Sequence, residues 1–218
     1  MKKILLFLMV SLLVLTIYIL NKDNKEYIFK IGDSMALSIN SKNIPSYDDY
    51  YKDYLKKDFE KYVIHASYNY RIGEAIRDIK SNIKVLDKNI QNILIKSDLV
   101  IIEIGIDELY NSLNVNNKYE YLDEMTSKME ELISVIRKYC KEKIVLVGYY
   151  NIGGLDNSKY INYVNDKYKD ISSKYNIMYI DVDFLNDKKY FSGNNYHIND
   201  IGYIDLNSKI INTVYKNK

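Results

Sequence analysis

The chain reads as an α/β protein whose mostly parallel sheet is enclosed by helices, and three observations predict this. Short, mainly apolar runs recur along the chain at Tyr27–Gly32, Tyr62–Ser67, Leu99–Gly105, Ile144–Tyr149 and Ile177–Val182. They are largely continuous rather than alternating, as expected of strands covered on both faces. Between them lie segments whose apolar residues recur at spacings of three and four, the helical period. Strand–helix alternation with short links favours a parallel sheet between helices.

Each element has its own warrant. Tyr27–Gly32 is the first strand. Residues 47–61 follow as a helix with Tyr47, Tyr50, Tyr51 and Tyr54 on one face, better suited to packing than to forming a binding platform. Tyr62–Ser67 is a short second strand. Ile72–Ile95 carries Ile76, Ile79, Ile83, Leu86, Ile90, Ile93 and Leu94 as a single helical stripe. Leu99–Gly105 is apolar except for Glu103. Tyr119–Lys141 repeats the stripe through Leu122, Met125, Met129, Leu132, Ile133 and Ile136. Ile144–Tyr149 is a strand, Ser158–Tyr175 a helix, Ile177–Val182 a strand and Ile201–Tyr215 a closing helix. In such sheets, sites gather at the carboxyl ends of the strands. Ser34, Asp107, Asn151 and the loop of His197 all fall there or late in the chain.

Composition narrows the function classes. The chain has 218 residues and a formal net charge of +2, with acids and bases interspersed and no basic stripe, so nucleic acid is not an expected partner. The single Cys140 excludes an internal disulfide and any CxxC motif, and it reads as structural. His65 and His197 are far apart and lack ligand spacing, so no metal or other cofactor is expected. Gly148-Tyr-Tyr-Asn-Ile-Gly-Gly154 matches no phosphate-binding loop.

The N-terminus reads as a targeting segment. Lys2 and Lys3 precede Ile4–Leu20, seventeen residues without a charge, which approaches the length that crosses a bilayer. The flanking lysines favour a cytoplasmic N-terminus. No small-x-small site follows, which favours an uncleaved single-pass anchor over a cleaved signal peptide; the second would give a secreted protein. Either way, residues 1–26 are anchor or signal plus linker, and residues 27–218 form one domain outside the cytoplasm. About 190 residues suffice for one full core.

Candidate chemistry begins with Ile31-Gly-Asp-Ser-Met-Ala36. Gly32 permits a tight exit from the strand, and Ser34 sits where backbone N–H groups at a helix start are available; the same residues also suit a plain N-cap. A serine nucleophile needs a base, and Asn194-Asn-Tyr-His197 supplies a histidine ahead of Asn199-Asp-Ile-Gly-Tyr203 and a helix. The other histidine, His65, lies inside the second strand.

These two stretches resemble the first and last blocks of the SGNH (GDSL-type) hydrolases, Gly-Asp-Ser after the first strand and Asp-x-x-His followed by Gly-Tyr. Ile104-Gly-Ile-Asp-Glu108 stands where that family has Gly-x-Asn-Asp. The remaining block, a glycine whose N–H faces the oxyanion, corresponds to Gly73 in Tyr70-Arg-Ile-Gly-Glu, or in a shifted register to Arg71. The resemblance spans roughly residues 27–215. It implies a flavodoxin-like three-layer α/β/α sandwich with five parallel strands, and metal-free esterase, lipase or deacetylase chemistry. Ser34 would be the nucleophile and His197 the base. The Ser34 and Gly73 N–H groups would form the oxyanion hole, and Arg71, Tyr149, Tyr150 and Asn151 are candidates for substrate contact.

Two positions depart from the pattern. Asn194 replaces the acid that orients the histidine, a change that lowers kcat about 10⁴-fold in a serine protease. Asp200 and Asp183 are candidate substitutes. Asp107 replaces the asparagine that donates to the oxyanion, and losing one such donor costs about 10²–10³ in rate. Capping the next helix is a simpler role for Asp107 and Glu108. The resulting expectation is an outward-facing, membrane-anchored ester hydrolase with a weakened site, acting on a small or envelope acyl ester. Its rival is an inactive descendant that binds an envelope glycan, lipid or protein.

Overall fold

The computed structural model describes residues 26–38, 59–152, 157–192 and 194–215. The N-terminal anchor and the helix expected over residues 47–58 lie outside them. Strand β1 (Glu26–Gly32) is flanked by β2 (Phe59–Ala66) and, further along the chain, β5 (Leu99–Glu103); β6 (Lys143–Val147) and β7 (Met178–Ile180) continue the sheet. The order is β2-β1-β5-β6-β7 with every pair parallel, so the expected five-stranded parallel sheet is present. β2 begins at Phe59, so the last three positions of the expected preceding helix belong to the sheet.

Ile28 and Phe29 point to opposite faces of β1, and both are completely buried. The sheet is therefore covered on both sides, which is why its strands read as continuous apolar runs. Parallel connection also orients the molecule: all five strands end on one rim, and the helices that follow begin there.

The helix expected over Ile72–Ile95 is instead two helices, α1 (Ile72–Lys80) and α2 (Ile90–Lys96), separated by a small hairpin of β3 (Lys84–Val85) and β4 (Lys88–Asn89). Asn82, Leu86 and Asp87 all take positive φ, which no helix accommodates. Val85, outside the expected stripe, and Ile90 face the core on either side of the hairpin tip. Leu86, assigned to the stripe by spacing alone, is 63% exposed at the hairpin tip.

Helix α3 (Ile106–Leu113) follows β5 and leads into α4 (Lys118–Tyr139), which packs against α1, α2 and α3. Helix α5 (Ser158–Lys174) precedes β7. Two 3₁₀ turns and a two-stranded ribbon, β8 (Phe191–Ser192) and β9 (Asn194–Ile198), then lead to α6 (Asp200–Tyr215). The ribbon was not foreseen, and it carries His197. Among the described residues no helix is long and apolar enough to cross a membrane.

Candidate active site

β1 ends at Gly32 against the main chain of β5. A Cβ at Gly32 would collide with the Glu103 carbonyl oxygen and with Ala36, so only glycine lets the chain turn here. The Asp33 N–H donates to that same carbonyl at 3.1 Å. Residues 33–38 then form a compact turn rather than entering a long helix, with the Leu37 N–H returning to the Asp33 carbonyl.

Asp33 is completely buried and joins two loops. One carboxylate oxygen accepts from the Met35 N–H at 2.9 Å; the other accepts from the N–H groups of Gly105 and Ile106 at 2.7 and 2.9 Å. The turn that carries Ser34 and the turn after β5 are thus fixed by a single side chain. Burial pushes the Asp33 carboxyl up to about 7 against the pull of these three N–H groups, and the Asp107 carboxylate adds to the rise. Gly105 adopts φ +107°, and a Cβ there would meet the Tyr149 hydroxyl, Ile72 and Met125.

Glu103, the one charged residue of β5, finds its partner on β1. Lys30 Nζ lies 2.7 Å from Glu103 Oε2, and both residues are buried. Burial lowers the lysine and raises the glutamate, each opposed by the other's charge.

The Ser34 hydroxyl lies 3.0 Å from His197 Nε2, although 163 residues separate them. Ser34 is only 2% exposed, while His197 is partly exposed on its ribbon. Burial lowers the His197 pKa below the ordinary value, and the Asp107 carboxylate pulls it back up. Asp107 therefore acts electrostatically on the imidazole, a role that its spacing in the sequence did not reveal. The Asn194 backbone belongs to β9, and its side chain lies outside the described residues. Asp183 is exposed on a 3₁₀ turn, and Asp200 opens α6.

Around α1 the candidate donors separate. The Arg71 N–H donates to Glu74 at 3.0 Å, and the Ile72 N–H donates to Glu108 Oε1 at 2.7 Å. Gly73 is left in the exposed first turn, with open space where a Cβ would stand. Glu108 thereby ties α3 to the start of α1, and burial raises its carboxyl. Arg71 lines a groove of about 280 Å³ with Glu108, Asn111, Tyr121 and Lys128.

Tyr149 and Tyr150 are not placed as the substrate-contact reading expected. Both are buried: Tyr149 donates to the Ile104 carbonyl at 2.7 Å and meets the Tyr168 hydroxyl at 3.1 Å, while Tyr150 donates to the Met35 sulfur at 3.0 Å. They brace the turns from below because the chain after β6 dives inward, held by paired Tyr149–Asn165 hydrogen bonds. Asn151 is half-buried and its N–H donates to Asn186. His65 belongs to a separate cluster with Tyr70 and Asp78. Cys140 is buried and packs against the Ser97 carbonyl, as a structural residue would.

The family model of GDSL-like lipases and acylhydrolases matches residues 28–210. No curated protein matches the chain. Among solved structures, a lipase from a goat rumen metagenome superposes with a TM-score of 0.74 at 17% identity, covering 88% of this chain and 98% of its own. An acetyl-xylooligosaccharide esterase from a Geobacillus superposes with a TM-score of 0.63 at 16% identity, covering 88% and 95%. At such identities the likeness is one of fold.

Proposed function

The chain belongs to the family of GDSL-like lipases and acylhydrolases, and we propose that it hydrolyses a carboxylic ester through Ser34 and His197. The 3.0 Å contact between the Ser34 hydroxyl and His197 Nε2 carries this reading. His197, kept neutral by burial, takes the serine proton as the hydroxyl attacks the ester carbonyl, and then returns it to the leaving alcohol. Water repeats the sequence on the acyl-serine. The Ser34 and Gly73 backbone N–H groups stabilise the oxyanion; the two N–H groups before Gly73 are already committed to Glu74 and Glu108.

Asp107 changes the balance of this site rather than simply weakening it. Where the family has a neutral donor, this chain has a carboxylate whose field favours imidazolium on His197. It supplies some of the charge that Asn194 cannot, while opposing the developing oxyanion. A slow hydrolase follows. An N-terminal anchor with the domain outside the cytoplasm is part of the same proposal, supported by the uncharged run Ile4–Leu20 behind Lys2 and Lys3. Turnover of p-nitrophenyl acetate by the wild type and by Ser34→Ala tests the reading, and equal rates in the two would reject it.

A further inference from the structure

We propose that the domain stands on an anionic bilayer by the edge opposite Ser34, so that its catalytic mouth faces away and its ester arrives on a water-borne carrier rather than as a lipid of that bilayer. Both parts rest on the anchored-esterase reading, the orientation on its anchor and the substrate on its chemistry; chain geometry and surface charge supply the rest.

Ser34 follows the carboxyl end of β1, whereas the anchor would enter at its amino end. The seven residues of β1, six rises of about 3.3 Å, separate the two edges by about 20 Å. Only Asn21–Lys25 lies between the apolar run and β1; the six Cα steps from Leu20 to Glu26 reach at most about 22 Å, and the headgroup layer over the hydrocarbon core takes about 5 Å of that. To press the mouth onto the bilayer, the domain would have to invert. Glu26 would then stand at least the length of β1 above the surface, beyond what remains of that reach.

The edge where β1 begins is also built for such a surface. Lys84 and Lys88 on the hairpin, Lys96 closing α2, and Lys138 and Lys141 beyond or near the end of α4 are all exposed there. Lys88 lies over the ring of Tyr27 at the start of β1. With Lys80, which is ion-paired to Glu131, they number six among the residues whose exposure is described, against the exposed acids Asp87, Asp98, Glu131 and Glu142. Between the lysines, Leu86 at the hairpin tip and Ile95 on α2 are 63% and 59% exposed. Basic side chains around exposed aliphatics are the composition that lodges in an anionic headgroup layer. The same feature explains why an unpaired leucine occupies a hairpin tip.

The full chain, reconstituted in phosphatidylglycerol-containing vesicles with an acceptor dye on the headgroups, gives the test. A donor dye on Leu86→Cys should transfer energy strongly, and one on Tyr68→Cys, beside the mouth, weakly; equal or reversed transfer overturns the orientation, as does failure of the chain to stay with the vesicles. Inserting about thirty Gly/Ser residues after Lys25 lets the domain turn over. Hydrolysis of a vesicle-embedded long-chain ester should then rise by about tenfold or more, with soluble p-nitrophenyl acetate unchanged. A wild type that already cleaves the embedded ester as fast as the extended chain overturns the substrate claim. Turnover no better than Ser34→Ala removes the esterase reading instead, and leaves the energy transfer to decide orientation.

Discussion

The two halves of the Ser34–His197 pair are held very differently. Ser34 sits on a turn between a glycine that only glycine can replace and a carboxylate that binds three backbone N–H groups. His197 hangs on a two-stranded ribbon with a register irregularity, outside the main sheet. Both departures from the family pattern concern the histidine: Asn194 shares its ribbon, and Asp107 acts on its charge. The turn of Ser34 is pinned to β5 and to the loop after it, and both departures lie where His197 is held or tuned. Breaking each half in turn should expose the contrast.

The largest effect belongs to the nucleophile. Ser34→Ala should abolish burst labelling by a fluorophosphonate and lower kcat for p-nitrophenyl acetate by at least about 10³-fold. The fold should be unchanged by circular dichroism, since among the described residues the hydroxyl bonds only to His197.

Restoring the family pattern on the histidine side comes next. Asp107→Asn with Asn194→Asp should raise kcat by about 10²-fold, because it returns an oxyanion donor and an imidazolium partner together. Asp107→Asn alone should gain much less, since it removes a carboxylate that favours imidazolium on His197 while adding the donor. If the single change equals the double, Asp107 does not support the imidazole. The rival reading, an inactive binder, predicts activity appearing from none in the double variant.

This contrast also explains what could be read from the sequence. Gly32, Ser34 and His197 were legible because their chemistry is confined to short, ordered motifs. The five strands were legible because both sheet faces are buried. The break at residues 81–89 was not, because Ile79, Ile83, Leu86 and Ile90 keep spacings of three and four although Leu86 turns outward at the hairpin tip. The inward course of Tyr149 and Tyr150 depends on Asn165, Tyr168 and Met35, all distant in sequence. Asp107 could be recognised as a departure, but its influence on His197 is a matter of tertiary distance. Glu103 was visible as an exception within an apolar strand, yet only the structure supplies Lys30.

Acid–base behaviour separates the halves most finely. The His197 pKa is lowered, so kcat/KM should rise with pH through a midpoint below histidine's usual 6.5, and Asp107→Asn should move that midpoint lower still. Asp33 gives the opposite kind of signal, in stability. Its carboxyl is raised in the folded state from 3.8 to about 7, so the native chain holds a proton that the unfolded chain releases. The stabilisation from this group is present below about pH 4 and is lost as pH rises through about 7. One proton gives a slope of at most about 1.4 kcal/mol per pH unit. In Asp33→Asn, unfolding by urea should show a lower midpoint at every pH, because an amide cannot replace all three acceptor contacts, but a flatter fall between pH 4 and 7. A variant with the wild-type slope would mean that Asp33 is ionised throughout, with its three N–H partners outweighing its burial.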